Sequence, residues 1–394
     1  MKKKVNKKSK RDKKVKLNKK ENKKEKNKEK NIIRLKIRKS KNLFITTIIA
    51  ILLVFILMYY IGVYIPEKEI SKSNTDNILM ESKTIELSSL TLEQKIAQMI
   101  MVRGDKKDLK FNNLNVGGIF LDRQKSAEKY QSLIKEYQDN SKIRLFVATD
   151  LEGVWTPFHN PEPNQIFPAF SEIETKYEAE DIGFKHGELL RKTGFNMNFA
   201  PVAEYSDKVY GGRAFSGTDE EIAEKVAFYI KGLQKNVLGV CKHYPGKAMQ
   251  KNLHNFPDIQ EISEKDLYLF EVCKENNISF IMVSHQIATG EVDSNGKPST
   301  VSEEIISHID KKFLVVADEI NMKGLSGFYK DKTKMYIDLI NSGENLILDF
   351  DLNPRELNNL IKEIKQEVET GSIDENKIDE SVEKILILKG YKVK

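Results

Sequence analysis

Beyond residue 88 the chain alternates between short, almost unbroken apolar runs and longer stretches where apolar residues recur every three or four positions. The runs are 115–121 (NVGGIFL), 144–150 (RLFVATD), 195–203 (FNMNFAPVA), 237–244 (VLGVCKHY), 278–285 (ISFIMVSH), 313–318 (FLVVAD) and 345–350 (NLILDF). Each reads as a strand buried on both faces. Between most of them the period is helical. Thr218-Asp-Glu-Glu221 forms a capping box, after which Ile222, Val226, Tyr229 and Leu233 share one helix face. A second box, Thr91-Leu-Glu-Gln94, leads into Ile96, Met99 and Ile100, and Ile378, Val382 and Ile385 repeat the spacing near the end. Near-continuous apolar strands separated by amphipathic helices predict a parallel sheet covered by helices, an α/β fold. Seven clear strands over about 300 residues suit a closed (β/α)8 barrel of TIM type with one strand irregular or missed. A doubly wound open sheet is the competing layout. No glycine-rich phosphate loop follows the first strand, which weakens its nucleotide-binding form.

Ahead of this region the pattern changes. Residues 43–65 (LFITTIIAILLVFILMYYIGVYI) are 23 consecutive residues without a charge. As a helix they would span roughly 35 Å, enough to cross a hydrocarbon layer of about 30 Å. The stretch is long and ends in bulky residues, unlike a cleaved signal peptide. It is expected to be an uncleaved single-pass anchor. The intensely basic flank before it places the N-terminus in the cytoplasm and the remainder outside, at the cell membrane. Residues 1–42 have few apolar positions and are expected to be a disordered cytoplasmic tail. Residues 66–88 read as a polar linker and 89–394 as the barrel.

Charge separates the same regions. The overall net charge of +7 averages 22 Lys/Arg against 4 Asp/Glu in residues 1–42 and 43 against 54 in the rest. A nucleic-acid-binding domain needs a basic globular surface, and the globular part is acidic. No nucleic-acid partner is expected for it. The tail reads as an orientation signal or a contact for anionic lipid headgroups. The two cysteines, Cys241 and Cys273, form no C-x-x-C pair and sit in apolar surroundings, so buried free thiols are expected.

Chemistry in parallel α/β folds collects at the C-terminal ends of the strands. Here those ends carry Asp150, Lys242 with His243, His285 and Asp318. One ionisable residue at a strand end is commonly structural. Four such ends on one rim read as a site.

The same residues carry a family resemblance. KHYPG (242–246) resembles the K-H-F-P-G signature of family 3 glycoside hydrolases, and VVADEINMKG (315–324) resembles the segment bearing their nucleophile. TLEQKIAQM (91–99), VGGIFL, TDLEG (149–153), NFAPVAE (198–204), GRAFSGTD (212–219), MVSHQ (282–286), PSTVS (298–302), SGENLIL (342–348) and SVEKILILKG (381–390) follow the family's order over roughly residues 88–394. The resemblance implies a retaining glycosidase, in which one carboxylate attacks the anomeric carbon and a second group protonates the leaving oxygen, then activates water. Asp318 matches the nucleophile. Asp150, Arg213, Lys242 and His243 match positions that hydrogen-bond the terminal sugar, although Lys242 and His243 also fit a buried ion pair with a carboxylate. His285 reads as a packing residue beside the pocket. No metal or organic cofactor is implied. The chain ends one helix after the barrel, which points to the single-barrel branch, similar to β-N-acetylglucosaminidases that trim peptidoglycan fragments with a loop-borne His assisted by an Asp. A free imidazole titrates at about 6.5, suited to acid/base work near neutrality.

Two departures stand out. Where the family reads approximately H-G-D-T-x-x-D-S-H after P-G, this chain reads KAMQKNLH. His254 matches the acid/base His, and its Asp partner has become Asn252, expected to orient the imidazole without stabilising its charge. Loss of such a carboxylate costs on the order of 10⁴ in rate in a related arrangement. The family's E-G-G-R-V-x-R has become EGVWTPF (152–158), so a sugar-binding arginine has no counterpart, and Trp155 and Phe158 are candidates for an apolar platform. Two functions follow as expectations. One is an anchored exo-glycosidase releasing terminal β-N-acetylglucosamine from cell-wall glycan fragments. The other is a catalytically impaired barrel that serves as a sugar-binding or scaffolding module.

Overall fold

A computed structural model of the chain describes residues 83–158, 167–247 and 250–394. The basic stretch 1–42, the segment 43–65 read as a membrane span, and residues 66–82 of the linker lie outside the described residues. Among the described residues, no helix is long and apolar enough to cross a membrane.

Eight parallel strands close into a barrel: β1 (Ile100–Arg103), β2 (Gly118–Phe120), β3 (Phe146–Thr149), β4 (Met197–Asn198), β5 (Leu238–Tyr244), β6 (Phe280–Val283), β7 (Leu314–Ala317) and β8 (Leu346–Asp349). Neighbours pair in sequence order, and β8 returns to β1 through Ile347 opposite Ile100. The TIM-type barrel expected from the pattern is therefore present. All seven apolar runs contain a barrel strand. The eighth, β1, is formed by IMVR, so Ile100, read as the last residue of a helix face, begins a strand instead. The preceding helix α1 (Leu92–Gln98) carries the expected Thr91–Gln94 capping box and stops at Met99 with neither glycine nor proline. Its last side chain, Gln98, donates to the carbonyls of Asn115 and Val116, so contacts from the next loop hold the helix-to-strand switch. Backbone crowding at the same place explains Gly117, where a Cβ would fall 1.9 Å from the Gln98 carbonyl oxygen.

The longer covering helices are α2 (Ala127–Asp139), α3 (Lys176–Thr193), α4 (Asp219–Leu233), α5 (Glu264–Glu275), α6 (Lys332–Ser342), α7 (Pro354–Glu369) and α8 (Glu375–Leu388). The Thr218–Glu221 box opens α4, and Ile222, Val226, Tyr229 and Leu233 are all buried against the barrel core. At its base, Thr84–Ile85 pairs in parallel with Lys392–Val393, tying the start of the barrel to its end. The cysteine expectation is corrected. Cys241 on β5 and Cys273 on α5 are joined in a disulfide with Cα atoms 6.5 Å apart. Helix α5 packs beside β5, bringing the two thiols within bridging range despite 32 residues of separation.

Candidate active site

The C-terminal strand ends meet at one rim, where a cavity of about 240 Å³ is lined by Asp150, Glu152, Trp155, Tyr210, Arg213, His254 and neighbours from β2 and its loop. Asp150 follows β3, lines the cavity and keeps 44% of its side chain exposed. Two residues on, Glu152 is buried and neutralises two cations at once. Arg213 Nε donates to Glu152 Oε2 at 2.7 Å and Arg213 Nη2 to Oε1 at 3.0 Å, a two-point fork. Lys242 Nζ lies 2.5 Å from Glu152 Oε1 and donates to Asp150 Oδ1 at 2.6 Å.

Burial alone would raise the Glu152 pKa, but the Arg213 and Lys242 charges outweigh it and hold the carboxyl down at about 2. Burial also works against the Lys242 charge, and the carboxylates of Asp150 and Glu152 reverse that effect, raising its pKa. The Asp150–Leu151–Glu152 segment is fixed by Asn198, whose side-chain oxygen accepts from the Leu151 N–H at 2.9 Å and whose amide donates to the Leu151 carbonyl at 3.1 Å.

Pairing along β5 shifts register between Cys241 and Tyr244. Such a shift re-aims side chains, and both Lys242 and His243 reach buried partners. His243 Nδ1 sits 2.8 Å from Glu204 Oε1. Both members of the Lys-His pair are thus in buried ion or hydrogen-bonded pairs with carboxylates, and Lys242 adjoins the cavity through Asp150 and Glu152.

Asp318, half-buried, follows β7. Its backbone N–H donates to the Val283 carbonyl at 3.1 Å, and its Oδ1 accepts from the Glu319 N–H at 2.8 Å. Burial pushes the Asp318 carboxyl up, but His243, His285, the Glu319 N–H and Lys242 together bring it below the usual aspartate range. Asp318 is not among the residues lining the cavity; burial raises the pKa of Tyr210, a cavity wall residue, and the Asp318 charge adds to that rise. His285 is fully buried, with Nδ1 2.9 Å from Thr300 Oγ1 and Nε2 2.8 Å from the Glu319 carbonyl, which fits the packing role read for it.

His254 lies on an exposed loop that reaches the cavity. The loop is seated on the segment after β7. Leu253 is buried against Met322, and its carbonyl accepts from the Gly324 N–H at 2.8 Å. Asn252 does not hold the imidazole as expected. Its side-chain oxygen accepts instead from the His254 main-chain N–H at 2.9 Å and from the Tyr210 hydroxyl at 3.1 Å. The platform expectation also divides. Trp155 stands at the mouth, 41% exposed, whereas Phe158 turns into the core against Tyr130 at 5.1 Å between ring centroids.

Sequence reading passed over Glu152, Glu204 and Tyr210. The two glutamates lie inside TDLEG and NFAPVAE, and the signal for them was the Lys-His pair at 242–243, since a buried Lys requires a carboxylate and a buried imidazole a hydrogen-bond partner. Tyr210 carried no signal, because only the fold brings it to Asn252. Among the described residues, no group of three or more His, Cys, Asp or Glu side chains is placed to hold a metal ion.

A closed parallel barrel with a carboxylate-and-cation cavity at its C-terminal rim defines a (β/α)8 protein whose site is built for a polar ligand. The profile of the "Glycosyl hydrolase family 3 N terminal domain" matches residues 91–388, and the chain belongs to that family. The β-hexosaminidase LpqI of Mycobacterium tuberculosis is 24% identical over 235 residues, covering 55% of this chain and 60% of that protein. The match thus spans less than two thirds of that relative. A solved family 3 β-N-acetylglucosaminidase from Paenibacillus sp. superposes with a TM-score of 0.70 at 25% identity, over 76% of this chain and 62% of that one. A β-N-acetylhexosaminidase from Beutenbergia cavernae has the same fold, with a TM-score of 0.68 at 19% identity over 76% and 99% of the two chains.

Proposed function

We propose that the barrel is a retaining exo-glycosidase that releases terminal β-N-acetylglucosamine from cell-wall glycan fragments while residues 43–65 anchor it at the outer face of the membrane. The observation that carries this reading is Asp318, kept ionised among two imidazoles and Lys242 on the rim that also bears Asp150, Arg213 and His254. Asp318 attacks the anomeric carbon and the glycosidic C–O bond breaks, with His254 giving its proton to the leaving oxygen. Water, deprotonated by His254, then displaces Asp318. Asp150, Lys242, Arg213 and His243 hold the terminal sugar directly or through Glu152 and Glu204. Similarity to a β-hexosaminidase and to a β-N-acetylglucosaminidase favours an N-acetylhexosaminide substrate. The Cys241–Cys273 bond favours an extracytoplasmic site, where disulfides persist.

One observation favours the second reading, a sugar-binding module of little turnover. Asn252 is engaged by Tyr210 and the main chain, so no carboxylate at that position assists His254. The full-length protein is expected to release nitrophenol from 4-nitrophenyl N-acetyl-β-glucosaminide, Asp318→Ala to abolish release, and His254→Ala to change the pH–rate profile. Sugar binding without turnover on any aryl glycoside would overturn the enzymatic reading in favour of the module.

A further inference from the structure

Trp155 stands where the resemblance led one to expect an arginine, and its surroundings are built rather than accidental. Its ring meets Tyr210 edge to face, with centroids 5.8 Å apart and planes at 78°. The indole N–H donates to the Gly211 carbonyl at 3.1 Å, so the polar edge is satisfied while the ring remains 41% exposed. A tight turn links it to the sugar-binding end of the cavity, where the Glu152 N–H donates to the Trp155 carbonyl at 2.8 Å. Within that turn Gly153 has φ +67°, and a Cβ there would fall 2.3 Å from the Pro168 carbonyl.

Tyr210 is fixed equally well. The Asp207 carboxylate accepts from the N–H groups of both Tyr210 and Arg213, and the Arg213 guanidinium lies 4.8 Å from the centre of the Tyr210 ring. The Tyr210 hydroxyl reaches Asn252 on the His254 loop. The aromatic corner is therefore tied both to the turn that carries Glu152 and to the loop that brings His254 to the cavity.

Depth orders the cavity. Glu152 and Arg213, which line it, and Lys242 behind Glu152 are buried, with side-chain exposures of 3%, 12% and 3%. Trp155, 41% exposed, stands at the mouth, and its partner Tyr210 reaches the His254 loop. An exo-acting pocket holds the terminal sugar deepest, so the group at the mouth beside the proton donor meets the next ring. We propose that Trp155, buttressed edge-on by Tyr210, forms the leaving-group subsite, its indole stacking on the apolar C–H face of the second pyranose. This assignment rests on the glycosidase reading for the direction of the sugar chain. Aromatic faces suit the task because they bury ring C–H groups without requiring a fixed pattern of hydroxyls.

Trp155 is the single tryptophan of the chain, so its emission reports the contact directly. In full-length Asp318→Asn protein, which blocks turnover, the β-1,4-linked disaccharide of N-acetylglucosamine should shift Trp emission, whereas the monosaccharide should leave it in place. By calorimetry Trp155→Ala should weaken the disaccharide about tenfold and the monosaccharide less than twofold. Tyr210→Phe, which retains the ring, should bind the disaccharide as well as its parent. Equal emission shifts with both sugars, or equal weakening of both by Trp155→Ala, would overturn the subsite. Disaccharide binding with silent emission would overturn it and leave the glycosidase reading intact. A selective emission shift in a wild type that hydrolyses no glycoside would do the reverse.

Discussion

Glu152 holds Arg213 and Lys242 in place with one carboxylate, and that economy makes it vulnerable. Replacing it with Gln leaves two buried cations short of a counter-charge, a loss expected to cost about 3 kcal/mol. Because its folded pKa, about 2, lies below the ordinary 4.5, its contribution is present above pH 4.5 and fades as the pH falls towards 2. Denaturant unfolding of wild type and Glu152→Gln should therefore differ most near neutrality and converge in strong acid. Glu344 behaves in the opposite sense. It is fully buried, neither carboxylate oxygen has a hydrogen-bond partner, and burial together with the Asp318 charge raises its pKa well above 4.5. Such a group is tolerated below pH 4.5 and becomes destabilising as the pH rises. Glu344→Gln should raise the thermal midpoint at pH 7 and match wild type at pH 4; equal midpoints at both pH values would show that the carboxyl has found a partner.

Among the elements, β5 carries the most. It supplies Lys242 and His243 to the site and Cys241 to the bond with α5. Closing a loop over 32 residues is expected to contribute about 3–4 kcal/mol through the unfolded chain. Cys273→Ser should therefore lower the thermal midpoint by about 5 °C, and wild type treated with reductant should fall to the same value. Seven strands and the α1 and α4 caps were legible because each repeats a local rule: an apolar run, a helical period, or Thr with Glu or Gln three residues on. The bond was not legible, since pairing depends on which helix lies against which strand. Strand β1 was hidden because Met99-Ile-Met-Val102 continues the apolar content of α1 without a glycine or proline. The switch is held by Gln98, which bonds to the Asn115 and Val116 carbonyls and receives Lys389 Nζ at 2.7 Å.

At the scale of the molecule, barrel closure gathers residues far apart in sequence onto one rim, which is why Asp150, Lys242, His243 and Asp318 could be grouped from strand ends alone. A loop residue such as Tyr210 needed the fold, because loop paths have no period to read. Away from the strand pairing of the barrel, residues 392–394 are joined by backbone bonds to residues 83–87, just ahead of α1. Leu87 N–H donates to the Lys394 carbonyl at 2.8 Å, Lys392 N–H to the Lys83 carbonyl at 3.2 Å and Lys394 N–H to the Ile85 carbonyl at 3.1 Å. Three such bonds at about 1 kcal/mol each, with Val393 packed against the core, mean that deleting residues 392–394 should cost about 3 kcal/mol. Hydrogen exchange should accelerate at Leu87 while the amides of β3 and β7 remain protected.

The covalent link between β5 and α5 has a consequence for how the protein is made. Closing it removes two electrons from the chain, so maturation needs an acceptor for them, and each newly synthesised molecule matures only as fast as that acceptor is supplied. Cells with exhausted thiol-oxidising capacity would accumulate a dithiol form, seen as a shift in gel mobility after alkylation, with the strand that bears Lys242 and His243 no longer stapled to its helix.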